Sequence, residues 1–229
     1  MNYDWNFSRV TQYAQAFYAG AQTTVLLTIV IIVLGTLLGV GLGVLMQRRP
    51  ARLLILPIIE IIRAVPPLVI LLFTYYLLSA QTIGMTFDAF WICAIALSAN
   101  LAAFTAELVH AALRAVPAAA IDAGRALGMT GRHLLIHVIL PHVTRQLIPA
   151  MTMLYISMLK LTSLASVINV REVVFAAQTV IATTTRSLES WTIVTVIYIV
   201  LVLPSTYLAR RLEKRFAASP ERETGLLSS

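Results

Sequence analysis

Several polar side chains interrupt otherwise apolar stretches of this sequence, and they fall at helical spacing. Glu107 and His110 are three apart in "AELVHAAL", and Glu60 and Arg63 are three apart in "EIIRAVPP". On a helix that spacing puts both members on one face and within pairing reach. Lys160 closes another apolar run, and His133, His137 and His142 gather within ten residues. Such groups in apolar surroundings can hold a cationic substrate, relay protons, lock helices together or ligate a metal. A charge placed at a bilayer centre costs roughly 2.5–3.5 kcal/mol on insertion scales, so each needs a reason.

The reasons differ by residue. Glu60 and Arg63 read as a structural ion pair near a membrane interface. Glu107 has two readings: a counter-charge for a substrate ammonium in a wet cleft, or an ion pair, with His110 as local partner, that fixes its helix. Lys160 either snorkels and bonds carbonyls where its helix ends, or faces a pathway. His133 and His137 lie four apart but without a carboxylate nearby, so the polar face of an amphipathic helix is preferred to a metal site. Cys93 is the single cysteine, which excludes an intrachain disulfide and a cysteine-based zinc cluster, and it reads as a packed small residue.

The elements that must carry these residues are membrane helices. Of 229 residues, 59% are hydrophobic and 12% charged, and the mean hydropathy is +0.85. Soluble domains carry about 25% charged residues, so lipid is the main solvent of this chain. The formal charge of +7 does not point to nucleic acid, because the bases cluster beside apolar runs without interleaved aromatics.

Spans need about 20 mostly apolar residues. Five are expected, over 22–46, 54–79, 88–111, 143–164 and 191–208, giving an all-α membrane fold with a mixed segment at 165–190. Gly35, Gly39 and Gly43 form a ridge of small residues for close packing inside the bundle. Pro66 and Pro67 interrupt the second span, whose first turns should form a separate, kinked piece. In residues 1–21, Phe7, Val10, Ala14 and Phe17 recur at helical spacing beside Trp5, Tyr13 and Tyr18, which predicts a short amphipathic helix in the headgroup region. Residues 22–212 make one transmembrane domain, and 213–229 a polar tail, disordered at its end.

Five spans put the termini on opposite sides. Arg48, Arg49, Arg52, Arg114, Arg125, Arg132, Arg145, Arg210, Arg211, Lys214, Arg215 and Arg222 then share one side, twelve of the 17 basic residues. By the positive-inside tendency that side is cytoplasmic, with the N-terminus outside.

The cytoplasmic loop 114–141 contains "VPAAAIDAGRALGMTGRHLLIHVILP". Pro117 suits the first position of a helix, and Gly128 its left-handed cap. Thr130 caps a second helix, "GRHLLIHVIL", which Pro141 limits or kinks. Ala118, Ala119, Ala120, Ala123, Gly124 and Ala126 give the first helix too little bulk to build a core. It has the shape of a narrow knob for a groove on another protein.

Here the residues resemble a family. "DAGRALGM…ILP" is similar to the cytoplasmic loop of ATP-binding-cassette importer permeases, Glu-Ala-Ala, three residues, Gly, then Ile-x-Leu-Pro. Asp122, Ala123, Gly124 and Gly128 fill the first part and Ile139, Leu140 and Pro141 the second, with aspartate for glutamate and glycine for the second alanine. "EIIRAVPPLVIL", "AELVHAALRAVP" and "KLTSLASVINVREV" resemble signatures of the polar amino acid subgroup (histidine-, glutamine- and glutamate-type permeases), His110 standing where arginine is usual. The resemblance covers residues 20–212.

The resemblance implies the type I importer fold in a bacterial cytoplasmic (inner) membrane. The chain would form half of a pathway for a polar amino acid. Its partners would be a cytoplasmic ATPase dimer, a second permease of the same or another sequence, and an extracytoplasmic amino-acid-binding protein. Asp122, Ala123, Gly124, Leu127, Gly128, Met129 and Arg132 would dock the ATPase. Glu107, His110, Asn100, Phe104, Thr162 and Ser163 would line the pathway. This chain would bind no cofactor; ATP and Mg would sit on the ATPase. In keeping with that, "GTLLGVGLG" lacks the lysine of a phosphate-binding loop. Two other classes compete. A secondary transporter could use Glu107, His110 and Lys160 as a relay, but such proteins usually show internal repeats, and none is evident. A membrane enzyme would need a catalytic constellation that the sequence does not show.

Overall fold

The computed structural model describes residues 3–78 and 87–216. The helices are α1 (Ser8–Thr11), α2 (Ala14–Leu45), α3 (Arg49–Ala64), α4 (Pro67–Leu77), α5 (Ala89–Arg114), α6 (Ala118–Ala126), α7 (Gly131–Leu134), α8 (Leu140–Leu161), α9 (Val173–Thr184) and α10 (Ser187–Phe216). A π turn (Leu135–Ile139) joins α7 to α8, and a 3₁₀ segment (Thr162–Ile168) follows α8.

The bundle is built around α5. Its small residues Ala94, Ala96, Ala102, Ala103 and Ala106 are buried, so neighbouring helices come close on several sides. The closest is α2, whose Gly35, Gly39 and Gly43 lie against Leu101, Thr105 and Val109. At Gly39 an added Cβ would stand 2.4 Å from the Thr105 Cβ and 2.8 Å from the Ala102 carbonyl oxygen. The ridge of glycines is thus spent on packing within the chain. The opposite face of α2 exposes Leu26, Ile29, Leu37 and Val44, as expected where lipid is the neighbour.

The second expected span is two helices. They meet at Val65–Pro66 at 108°, because Pro66 lacks a donor and forces Val65 into extended backbone. The separate piece is therefore all of α3, whereas the sequence pattern assigned only the first turns to it. Residue 79, the expected end of that span, lies outside the described residues.

Part of the N-terminal segment packs on the rest of the chain, while Trp5, Phe7 and Tyr18 stay exposed. Helix α2 begins at Ala14, inside the stretch expected to lie in the headgroups. Val10 and Phe17 are buried against Val173, Ala177 and Val180 of α9 and Val194 of α10. The carboxylate of Glu189 accepts from the Asn6 N–H at 2.9 Å and from the Tyr3 hydroxyl, and Arg186 donates to the Asp4 carbonyl at 2.7 Å. Of the four residues at helical spacing, Val10 and Phe17 are covered by protein, whereas Phe7 and Ala14 are exposed.

The fourth span begins earlier than expected. The helical run extends from Gly131 to Ile168, so Pro141 does not end it, and the distortion expected there takes the form of the π turn. Pro141 is accommodated by the π turn just before it, which shifts the hydrogen-bond register where the proline has no N–H to give. The mixed segment 165–190 contains α9, and the fifth span lies in α10 over Ser187–Leu212. The tail expected to be disordered lies, beyond 216, outside the described residues.

Candidate functional site

The bend between α3 and α4 leaves the last turn of α3 facing α5, and a charge pair forms there. Arg63, in that last turn, makes an ion pair with Glu107 of α5. Its guanidinium also lies over the Phe104 ring, 5.1 Å from the centroid, a cation–π contact. Phe104 and Glu107 are one turn apart, so the ring and the carboxylate are presented together. With Leu108, Ala111, Ala150 and Leu154 they line a cleft of about 370 Å³. Both side chains of the pair are partly exposed, Arg63 at 35% and Glu107 at 43%. An acid and a base on an apolar floor present a complement to both ends of a zwitterion.

The expected Glu60–Arg63 pair is not formed. Arg63 reaches across to α5, where a carboxylate and an aromatic face both act on it, while Glu60 stays exposed. His110 is not the partner of Glu107 either. It is buried against α2, with Gln47 Nε2 3.0 Å from its Nδ1.

The six expected pathway residues do not converge. Phe104 and Glu107 share the cleft just described. Ser163 lines a second cleft of about 440 Å³ with Lys160, Thr195 and Tyr198, between the end of α8 and α10. Asn100, His110 and Thr162 are buried and line neither; Thr162 Oγ1 donates to the Leu159 carbonyl at 2.7 Å.

Helix α6 has the geometry the local signals predicted, with the start displaced by one residue. Pro117 is the N-cap, in extended backbone, and α6 begins at Ala118. At the other end Gly128 takes φ +74°. The Met129 N–H donates to the Gly124 carbonyl at 3.1 Å and that of Gly128 to the Arg125 carbonyl at 2.9 Å, the two bonds of a Schellman cap. Thr130 Oγ1 accepts from the His133 N–H, capping α7. Gly124 is the buried residue of α6, and a Cβ there would come 2.6 Å from Leu134 Cδ1. Glycine at this position lets the Leu134 side chain pack directly on the helix. Asp122 pairs with Arg125 at 3.3 Å on the surface, and Ala118, Ala119, Ala120, Ala123 and Leu127 are exposed, Leu127 at 78%. His133 and His137 stack with ring centroids 5.7 Å apart, each Nδ1 engaged, by Thr130 Oγ1 and the His133 carbonyl respectively.

Two buried carboxylates, Glu172 and Glu189, escaped the sequence reading. Glu172 was legible in principle, since an acid directly before "VVFAAQTV" is a helix-start signal. It caps α9 by accepting from the Val174 and Phe175 N–H groups, each at 2.9 Å.

Comparison with known proteins gives this architecture a family. The chain is 30% identical over 217 residues to the glutamine transport system permease protein GlnP of Escherichia coli (strain K12), covering 94% of this chain and 98% of that one. It is 32% identical to the octopine transport system permease protein OccM of Rhizobium radiobacter, over 93% and 90% of the two chains. With the L-cystine transport system permease protein TcyB of Bacillus subtilis (strain 168) it shares 36% identity over 69% and 68%. A crystal structure of an amino acid ABC transporter with histidines superposes with a TM-score of 0.84 at 30% identity, over 93% of this chain and 100% of that one. The inward-facing methionine ABC transporter MetNI, at 19% identity and TM-score 0.72, covers 90% and 98% and shares the fold. The family model for the binding-protein-dependent transport system inner membrane component matches residues 35–218. The chain belongs to that family, and it is a permease subunit of an ATP-binding-cassette importer.

Proposed function

We propose that this permease carries a polar α-amino acid and that Arg63 and Glu107 are its substrate contacts. The observation that carries this reading is their ion pair over Phe104 at an open cleft. In the empty cleft each charge satisfies the other. An incoming zwitterion replaces one pair by two: its carboxylate takes the two-pronged donor of Arg63, and its ammonium takes Glu107. No charge is stranded at any stage, which matters where the surroundings are apolar and electrostatic energies are large. The glutamine, octopine and L-cystine named for the relatives all carry a carboxylate beside a basic nitrogen.

The remaining assignments follow from the same reading. The exposed alanine face of α6, with Leu127 and Arg132, docks a separate ATPase dimer, which holds ATP and Mg; this chain binds no cofactor. A second permease, the same chain or another, completes the pathway, and an extracytoplasmic binding protein delivers the amino acid. The N-terminus is extracytoplasmic and the C-terminus cytoplasmic.

The test is uptake by the complex in proteoliposomes, with its ATPase and binding protein, against a panel of amino acids. Glu107→Gln keeps size and most hydrogen bonding while removing the charge. It should assemble as the wild type does, with uptake reduced at least roughly tenfold, the equivalent of about 1.4 kcal/mol. Assembly with unchanged transport kinetics would withdraw Glu107 from the site.

A further inference from the structure

Glu172 sits where four elements meet. It is fully buried at the start of α9, and its oxygens take the N–H groups of Val174 and Phe175. Gly20 of α2 packs on its backbone so closely that a Cβ there would stand 2.9 Å from the Glu172 carbonyl carbon. One N–H bond per oxygen leaves acceptor capacity on both. Tyr198 of α10 packs against the cluster that holds Val173 and Ala177, and its hydroxyl interacts electrostatically with Glu172, Thr162 and Ser163. Yet that hydroxyl oxygen is buried and meets hydrogen-bond geometry with none of them. A buried donor without a partner costs free energy, and an acceptor with spare lone pairs lies beside it.

Tight turns bound α9 on both sides. The helix is preceded by Asn169 at φ 63° and followed by Thr185 at φ 59°, both in the left-handed region. The chain therefore turns sharply at single residues on each side of a short rigid piece. Tyr198 also lines the cleft with Lys160 and Ser163, so drawing α10 toward α9 reshapes that cleft.

We propose that Glu172 and Tyr198 form a latch between α9 and α10, open in this conformation and closed, in the alternate conformation of the transport cycle, by a hydrogen bond from the Tyr198 hydroxyl to the Glu172 carboxylate. The proposal rests on the importer reading, but not on which solute is carried. Both are positioning residues for the cleft behind which they stand. The titratable groups facing Glu172 are Tyr198 from α10 and Cys93 from α5. From α2 it meets Gly20, and Thr24 accepts from the next residue's N–H. Arg171, its chain neighbour, is exposed. Burial raises the Glu172 carboxyl to about 7, so the ionised acceptor forms as pH rises through neutrality.

The experiment compares the whole complex in nanodiscs, nucleotide-free and trapped with ATP and vanadate, for wild type, Tyr198→Phe, Glu172→Gln and the double variant. Hydrogen exchange of the α9 amides is the readout. In the trapped state the wild type should exchange roughly tenfold more slowly than Tyr198→Phe, and the double variant should be no faster than the worse single one. In the nucleotide-free state Tyr198→Phe should match the wild type. Trapped-state protection should rise with pH through about 7 in the wild type and stay flat in Glu172→Gln. Additive effects, or coupling equal in both states, overturn the latch. If Glu172→Gln fails to fold, Tyr198→Phe alone decides: equal trapped-state protection in that variant and the wild type overturns it. Because exchange needs no substrate, failure of the amino-acid assignment shows separately, as absence of uptake in a complex whose latch still couples.

Discussion

Arg63 and Glu107 come from different helices, so what a substitution removes depends on which group of the substrate it served. Arg63→Lys keeps the charge but loses the two-pronged donor and the flat contact with Phe104. If the guanidinium holds the substrate carboxylate, one charge-assisted bond worth about 1.5–3 kcal/mol is lost, and half-saturation of uptake should rise roughly ten- to a hundredfold. An unchanged half-saturating concentration would show that Arg63 only positions α3. Gly128 is a second decisive residue. Nothing lies within 4 Å of a Cβ built there, so its φ of +74° alone sets the cost of substitution. Gly128→Val should cost more than about 1 kcal/mol and re-aim α6, abolishing ATPase copurification, whereas Gly128→Asn should retain it. Equal copurification would remove the cap from the coupling mechanism. The cap was legible in the sequence because its signals are local: proline, glycine and threonine at fixed offsets. The partner of Arg63 was not. Glu60 is the neighbour in sequence, but the bend at Pro66 and the packing of α3 on α5 select Glu107.

At the scale of elements, the long apolar helices and the α2 ridge follow from composition and spacing. Gly39→Leu should be severe, since the added atoms meet the Ala102 backbone as well as Thr105. Overpacking of this kind costs about 1–3 kcal/mol or more, and folded yield and thermal midpoint in detergent should both fall. Gly41, in the same helix, has nothing within 4 Å, and Gly41→Ala should leave the midpoint unchanged or raise it. A harmless Gly39→Leu would mean that α2 and α5 are not locked together. The fate of 165–190 was less legible, because α9 is too short to read as a span and takes its stability from Glu172 and from residues distant in sequence. Its carboxyl, raised to about 7 by burial against an ordinary 4.5, favours the folded state when protonated. That stabilisation is fully present below about 4.5 and lost as pH rises through about 7. Melting curves of the nucleotide-free protein should therefore shift downward between these limits, and Glu172→Gln should flatten the shift. A wild-type midpoint constant over that range would place no titrating group at this cap.

For the whole molecule the question is parity, because among the described residues four long helices and one bent pair allow either four or five crossings. The packing settles how the bent pair runs. At one end Met46 packs with Ile59 and Ala106, and Gln47 meets His110, so α2 finishes beside the last turns of α5. Toward the other end Leu27 and Ile31 share a core with Leu71, Ile92, Ala165 and Ile168. The chain leaves α2 at the first end and enters α5 at the second, so α3 and α4 together make one crossing. Helix α8 climbs to the second end, and α10 starts there, where Tyr3 and Asn6 hold Glu189. Five crossings result, with the termini at opposite ends. Arg48, Arg49, Arg52, Arg114, Arg125, Arg132, Arg210 and Arg211 lie toward the end where α2 and α10 finish, the end that the orientation proposed above puts on the cytoplasmic side. Cysteine labelling can check this with little background, since Cys93 is the single native thiol and is buried. In intact spheroplasts an impermeant maleimide should label Asn6→Cys and spare Arg132→Cys, which should react after permeabilisation. A reporter fused to the C-terminus should behave as cytoplasmic. Labelling of both cysteines in intact spheroplasts, or of neither, would put the two sites on one side and break the five-crossing reading; labelling of Arg132→Cys alone would keep the parity and invert the orientation.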